Sequence, residues 1–191
     1  MQRLPRPVTM VLDILLAPLL LCAIVWVRAR QAAVLRSGAA LAPAQMKLAH
    51  ALGVVAAERV RVIPAAMVPL PLPYFARVMA QRAGLISAHI VGMTLGYGIV
   101  LREDCCGDTR LLAHELMHVA QYERLGGVGG FLRQYLRECV WPGYPRGALE
   151  LEAQAAEAHS AQPGADVIPY PTFVTDTVAA AKPGSPRPLK T

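Results

Sequence analysis

The chain has 191 residues, 54% of them hydrophobic and only 17% charged, with a formal net charge of +6 and a mean hydropathy of +0.37. That length holds one domain with a sizeable core and no more. High apolarity with a positive balance suits an anionic lipid surface, whereas sparse aromatic residues and the lack of a basic run argue against nucleic acid as a partner.

Residues 8–27, VTMVLDILLAPLLLCAIVWV, form an apolar run of about the length that crosses a bilayer. Arg3 and Arg6 precede it, and Arg28, Arg30 and Arg36 follow. No small-x-small cleavage pattern closes the run, and Leu21 stands before Cys22 where a lipoprotein signal needs a small residue, so it reads as an uncleaved transmembrane anchor. Asp13 is costly in hydrocarbon and Pro18 kinks a helix, which leaves a long core-packed or amphipathic helix as the alternative. The arginine balance is heavier after the run, which by the positive-inside rule favours a cytoplasmic domain.

Residues 31–57 read as one helix with Pro43 in a first turn and His50 in a structural role. Residues 58–63, ERVRVI, alternate as a short half-buried strand ending at Pro64, and the four prolines of residues 64–73 exclude regular structure. A short helix is expected at 74–84. Residues 87–103, SAHIVGMTLGYGIVLRE, form a strand or hairpin interrupted by Gly92, Gly96 and Gly98, with His89 unassigned. Cys105 and Cys106 are adjacent, and with Cys22 and Cys139 they make no disulfide framework, a usage that suits a reducing compartment.

Residues 111–127, LLAHELMHVAQYERLGG, carry the chemistry. A helical spacing of four sets His114 and His118 on one face about a turn apart, where both imidazoles can bind one metal ion. Glu115 stands beside that point and is free to act as general base on a bound water. Asp108 is the expected N-cap, Leu111, Leu112, Leu116 and Val119 the apolar face, Gly126 and Gly127 the stop, and Gln121 a support for a ligating histidine. A core helix with two hydrogen-bonded histidines is the competing reading. A zinc site needs a third ligand and an open fourth position. Gln121 and Arg124 exclude the metzincin arrangement, which requires glycine and histidine there. Residues 148–159, ALELEAQAAEAH, place Glu150, Ala153, Gln154 and Glu157 on one helical face. Glu150 is therefore the expected third ligand, and Glu152, some 200° around the helix, is the alternative. Between the two helices, residues 129–139 predict a helix with Phe131, Leu132, Tyr135 and Leu136 on its apolar side. Tyr144, on the turn-rich loop that follows, is a candidate for stabilising an oxyanion.

LLAHELMHVAQ followed by Glu150-x-Glu152-Ala153 resembles the gluzincin-type zinc metallopeptidases, such as the thermolysin-like and membrane-bound CAAX-processing peptidases. The run GMTLGYGIVLR at 92–102 followed by residues 111–127 resembles small uncharacterised bacterial metallopeptidase domains, a match that covers roughly residues 59–159. The resemblance implies a zincin-like fold, Zn²⁺ held by His114, His118 and Glu150, Glu115 as catalytic base, a peptide or protein substrate, and an edge strand before the motif helix that binds extended substrate. Gln154 departs from the membrane-bound relatives, which carry Asp there to support a zinc histidine. The expected architecture is α+β and mostly helical with a small sheet. Its parts are a membrane anchor at 1–30 that also contacts lipid, a zincin-like domain at 31–162, and a Pro-rich tail at 163–191. A non-catalytic membrane-associated protein with a structural or vestigial metal site is the alternative, and a partner-binding module acting through the basic, apolar N-terminus a third.

Overall fold

A computed structural model describes residues 6–70 and 90–160, with side chains from Leu16 onward. The helix expected at 74–84, His89 and the tail from residue 163 lie outside the described residues. The fold is α+β and mostly helical with a four-stranded sheet.

Helix α1 (Arg6–Ser37) contains the apolar run and passes unbroken across residue 30. Its portion Leu16–Ser37 is long and apolar enough to cross a membrane, by length and composition. The second half of the helix also belongs to the domain, because Val27 and Val34 are buried with Leu95, Val100 and Val128. The single helix expected over 31–57 is instead split. At its end Gly38 N donates to Val34 O, strand β1 (Ala39–Ala40) follows, and helix α2 (Pro43–Ala51) starts anew. Pro43 does occupy a first turn, and Ala42 N donates to the Gln45 side chain at 2.8 Å. His50 is structural, with Nδ1 3.1 Å from Val54 O.

Strand β2 (Arg61–Ala65) runs past Pro64 rather than stopping before it. Proline is tolerated because β1 pairs only with Arg61 and Val62, which leaves that flank of Pro64 without a ladder. The glycine-rich segment is a hairpin, β3 (Gly92–Leu95) and β4 (Gly98–Arg102), and the sheet order is β1-β2-β4-β3. Strands β2 and β4 are parallel, while β1 and β3 run antiparallel to their neighbours. Central β4 is apolar and buried from Gly98 to Leu101 because both its faces are covered. Ile99 and Leu101 join the cluster with Leu112, Leu116 and Val119, and Val100 faces the cluster of α1.

The motif helix α3 (Thr109–Arg124) begins at Asp108, whose carboxylate accepts from Arg110 N and Leu111 N, and gives way to Gly126 and Gly127, both with positive φ. Its Glu123 accepts from Val55 N, Ala56 N and Tyr97 Oη at 2.6 to 3.0 Å, which ties the helix end to the hairpin turn and to the loop after α2. Helices α4 (Val128–Glu138) and α5 (Ala148–His159) complete the domain, joined by a wide turn at Cys139–Gly143. Helix α4 lies along α1, antiparallel to it: Gly129 sits by Ile24, while Arg133 and Leu136 line a cleft with Leu16, Ala17 and Leu20.

Gly96 takes φ +67° in the hairpin turn, and a Cβ there would run into the side chain of Gln31, which accepts from Tyr97 N at 3.2 Å. Gly96→Ala is expected to cost about 2 kcal/mol through left-handed strain and the loss of this bond. Urea unfolding of the solubilised chain would read it as a lowered midpoint.

Candidate metal centre

Helix α3 turns its apolar stripe to the sheet and its histidines to α5. Ala153 is fully buried where α5 meets α3, so a small side chain sets the approach of the two helices. This brings His114 Nε2 to 3.7 Å from Glu150 Oε2 and His118 Nε2 to 3.7 Å from Glu150 Oε1. The three donor atoms lie within 4.8 Å of one another, a group that can hold a metal ion.

The other ring nitrogens are engaged elsewhere. His118 Nδ1 is 2.8 Å from Gln121 Oε1, and Gln121 Nε2 donates to Leu149 O and to Glu152 Oε2. Because that amide is committed as donor on its nitrogen, its oxygen accepts, which places the His118 proton on Nδ1 and leaves Nε2 as the lone-pair donor. His114 Nδ1 lies 3.4 Å from Glu157 Oε2, a close electrostatic contact whose alignment falls short of a hydrogen bond. The other Glu157 oxygen is 3.5 Å from Arg110. Burial lowers both histidine pKa values from the ordinary 6.5, and the neighbouring His118 adds to the effect on His114. Neutral imidazoles with free Nε2 atoms beside a buried carboxylate are the donor set a divalent ion requires.

Helix α4 walls the site. Tyr135 Oη donates to Glu150 Oε1 at 2.8 Å, and Phe131 packs against the His118 ring with centroids 5.9 Å apart. Burial and the nearby Glu150 push the Tyr135 phenol well above 10, so it remains a donor. Tyr144 stands on the exposed side, its phenol raised by burial and by Glu150 and Glu115.

Glu115 points toward β3. Thr94 Oγ1 is 2.7 Å from its Oε2 and 2.9 Å from its backbone oxygen. At Gly92 a Cβ would collide with this carboxylate. The lack of a side chain at Gly92 therefore makes room for Glu115. Burial pushes the Glu115 pKa up to about 8 against the lowering effect of the Thr94 bond, with Glu150 and Glu157 adding to the rise.

Of the residues expected from the sequence, His114, His118 and Glu150 come together, and Gln121 supports His118 as anticipated. Glu152 does not join them: it is held by Arg124 at 2.9 and 2.7 Å and by Gln121. Gln154 is exposed, and the contact to a histidine expected near that position comes from Glu157, one turn later. Thr94 and Tyr135 were not singled out for this site. Strand alternation could have found Thr94, which shares a face with Gly92; Tyr135 looked like an ordinary apolar-face residue.

Residues 78–126 match the eCIS core domain. That domain is a metallopeptidase-like family of extracellular contractile injection systems. The match covers the hairpin and the whole of α3, and ends before α4 and α5. No curated protein and no solved structure matches the chain.

Glu157→Gln removes the charge facing His114 Nδ1 and is expected to weaken metal binding by about tenfold or more, by analogy with other outer-shell partners. Competition with a chromophoric chelator would measure it. In the metal-free chain, Glu115 titrates at about 8 folded against 4.5 as its ordinary value, so the native state holds its proton more tightly. Stability from this group is complete below 4.5 and is lost as pH rises toward 8 and beyond. Glu115→Gln should therefore match the wild type near pH 4.5 and exceed it at pH 8 by up to about 4 kcal/mol, in denaturant titrations of chelator-treated protein.

Proposed function

We propose that the chain is a zinc-dependent metalloendopeptidase held to a membrane by α1. The reading rests on one observation above others: two histidine Nε2 atoms and a Glu150 carboxylate converge within 4.8 Å, beside a separately held, buried Glu115. Two imidazoles and a carboxylate suit Zn²⁺, with a fourth position left for water and substrate. When bound, such an ion supplies Lewis acidity, making water nucleophilic near neutral pH and polarising a peptide carbonyl.

The chain's own groups account for the remaining steps. Glu115, held by Thr94 beside the donor set, takes the proton of the attacking water on a carboxylate oxygen and hands it to the departing amine. Thr94 holds that carboxylate by its Oε2 and keeps it on the β3 side of α3. Tyr135 fixes Glu150, and Gln121 fixes the His118 tautomer, so the three donors do not reorient during turnover. Tyr144, whose phenol stays protonated, donates toward the developing oxyanion. Strand β3 is a sheet edge next to α3, and its outer flank accepts an extended peptide by backbone pairing.

Attachment follows from α1. Its apolar run reaches the domain at Val27, where burial against the sheet begins, and exposed Arg28 and Arg30 mark the same level. The arginine balance favours a cytoplasmic domain.

Elemental analysis of the purified chain should give about one zinc per chain, lost in His118→Ala and Glu150→Ala. Glu115→Gln should keep its zinc while peptide hydrolysis falls by about 10² to 10⁴. A Glu115→Gln variant with undiminished hydrolysis would remove Glu115 as the base, and a wild type that binds no zinc would end the proposal.

A further inference from the structure

Helix α5 begins without a cap of its own. Gly147 occupies the N-cap position and has no side chain to receive the first backbone N–H groups of the helix, a task that usually falls to serine, threonine, aspartate or asparagine. Glu138, the last residue of α4, supplies the acceptor instead. Its Oε2 accepts from Leu149 N at 2.9 Å, while its Oε1 accepts from Gln134 Nε2 at 2.9 Å, which aims the carboxylate at the start of α5. A negative group there also meets the favourable end of the helix dipole. A Cβ at position 147 would come within 2.6 Å of Glu138 Oε2, so the glycine that leaves α5 uncapped admits the cap that α4 provides.

The effect reaches the metal centre because Leu149 precedes Glu150. Leu149 is held at both backbone ends, its N by Glu138 and its O by Gln121 Nε2 at 2.9 Å. Glu150 has to present separate oxygens to His114 and His118, each 3.7 Å away, and it does so from the first turn of α5, where helices fray. Ala153 packs against α3 only in the following turn, and the residues 139–147 that lead into α5 are mostly exposed. We infer that Glu138 is a positioning residue of the metal centre: by capping α5 from α4, it fixes the turn that offers Glu150 to the two histidines. Tyr135, three residues earlier on the same face of α4, holds the Glu150 carboxylate itself at 2.8 Å. One helix thus grips the ligand by backbone and side chain together. The inference rests on the reading of His114, His118 and Glu150 as the metal ligands.

Reach and charge can be varied separately at this position. Glu138→Gln keeps an oxygen at the same reach without the charge, Glu138→Asp keeps the charge but draws the oxygen back by a methylene, and Glu138→Ala removes both. Zinc affinity of the full-length chain would be measured by competition with a chromophoric chelator, beside urea unfolding of the zinc-free variants and visible spectra of their Co²⁺ forms. Positioning predicts zinc binding weakened by about tenfold or more in Glu138→Asp and Glu138→Ala, with altered Co²⁺ bands. Glu138→Gln should stay within about threefold of the wild type. A Glu138→Gln variant as weak as Glu138→Ala would overturn the inference, because charge rather than the cap would then govern the site. A lowered urea midpoint with zinc affinity and Co²⁺ bands unchanged would also overturn it, as the mark of a cap that serves folding alone. Either result leaves the three ligands standing, whereas a wild type that binds no zinc removes them and the inference together. Should Glu138→Ala fold poorly, the contrast between Glu138→Asp and Glu138→Gln decides the matter by itself.

Discussion

Two imidazoles and a carboxylate can share one buried point only if the helices that carry them nearly touch. Helices α3 and α5 achieve this at Ala153, where the lack of a longer side chain lets Glu150 reach His114 and His118. Much of the remaining structure holds that approach in place. The sheet presses on one side of α3 through Ile99 and Leu101, and Gln121 crosses from α3 to the backbone oxygen of Leu149 on α5. Burying so many polar groups is costly unless each is answered. Gln121, Thr94 and Tyr135 answer His118, Glu115 and Glu150 with hydrogen bonds, while Glu157 faces His114 Nδ1 at 3.4 Å without completing one.

The periodic part of this arrangement could be read in the sequence. The spacing of His114 and His118, the Asp108 cap, the paired glycines after Arg124 and the shared face of Glu150 and Ala153 are all local, and local geometry follows from helix period and capping chemistry. What escaped notice depends on contacts between elements. Tyr135 sits among Phe131, Leu132 and Leu136 and looks apolar until α4 is laid against α5. Glu152 looked like a reserve ligand because two carboxylates two residues apart cannot be ranked without knowing that Arg124 faces one of them. The break at Gly38 was missed for a related reason. The sequence on either side is helical in character, and the break is imposed by a two-residue strand that pairs with β2.

Helix α1 combines two environments in one element. Leu19, Leu21 and Val25 are exposed on the portion apolar enough to cross a membrane, and a few residues later Val27 and Val34 are core residues of the domain. No flexible linker separates the two regimes, since the helix continues to Ser37. The domain is thereby held at a defined height and rotation about the apolar segment, unlike one tethered by a flexible chain.

The missing side chain at Gly92 has a further consequence. The β3 backbone and the Glu115 carboxylate occupy adjoining space with nothing between them, and Thr94, two residues on, is bonded to the same carboxylate. A sheet edge and a buried carboxylate are thus one mechanical unit, in which a displacement of the strand is also a displacement of that carboxylate. A side chain at position 92 would therefore push the Glu115 carboxylate out of the place where Thr94 holds it.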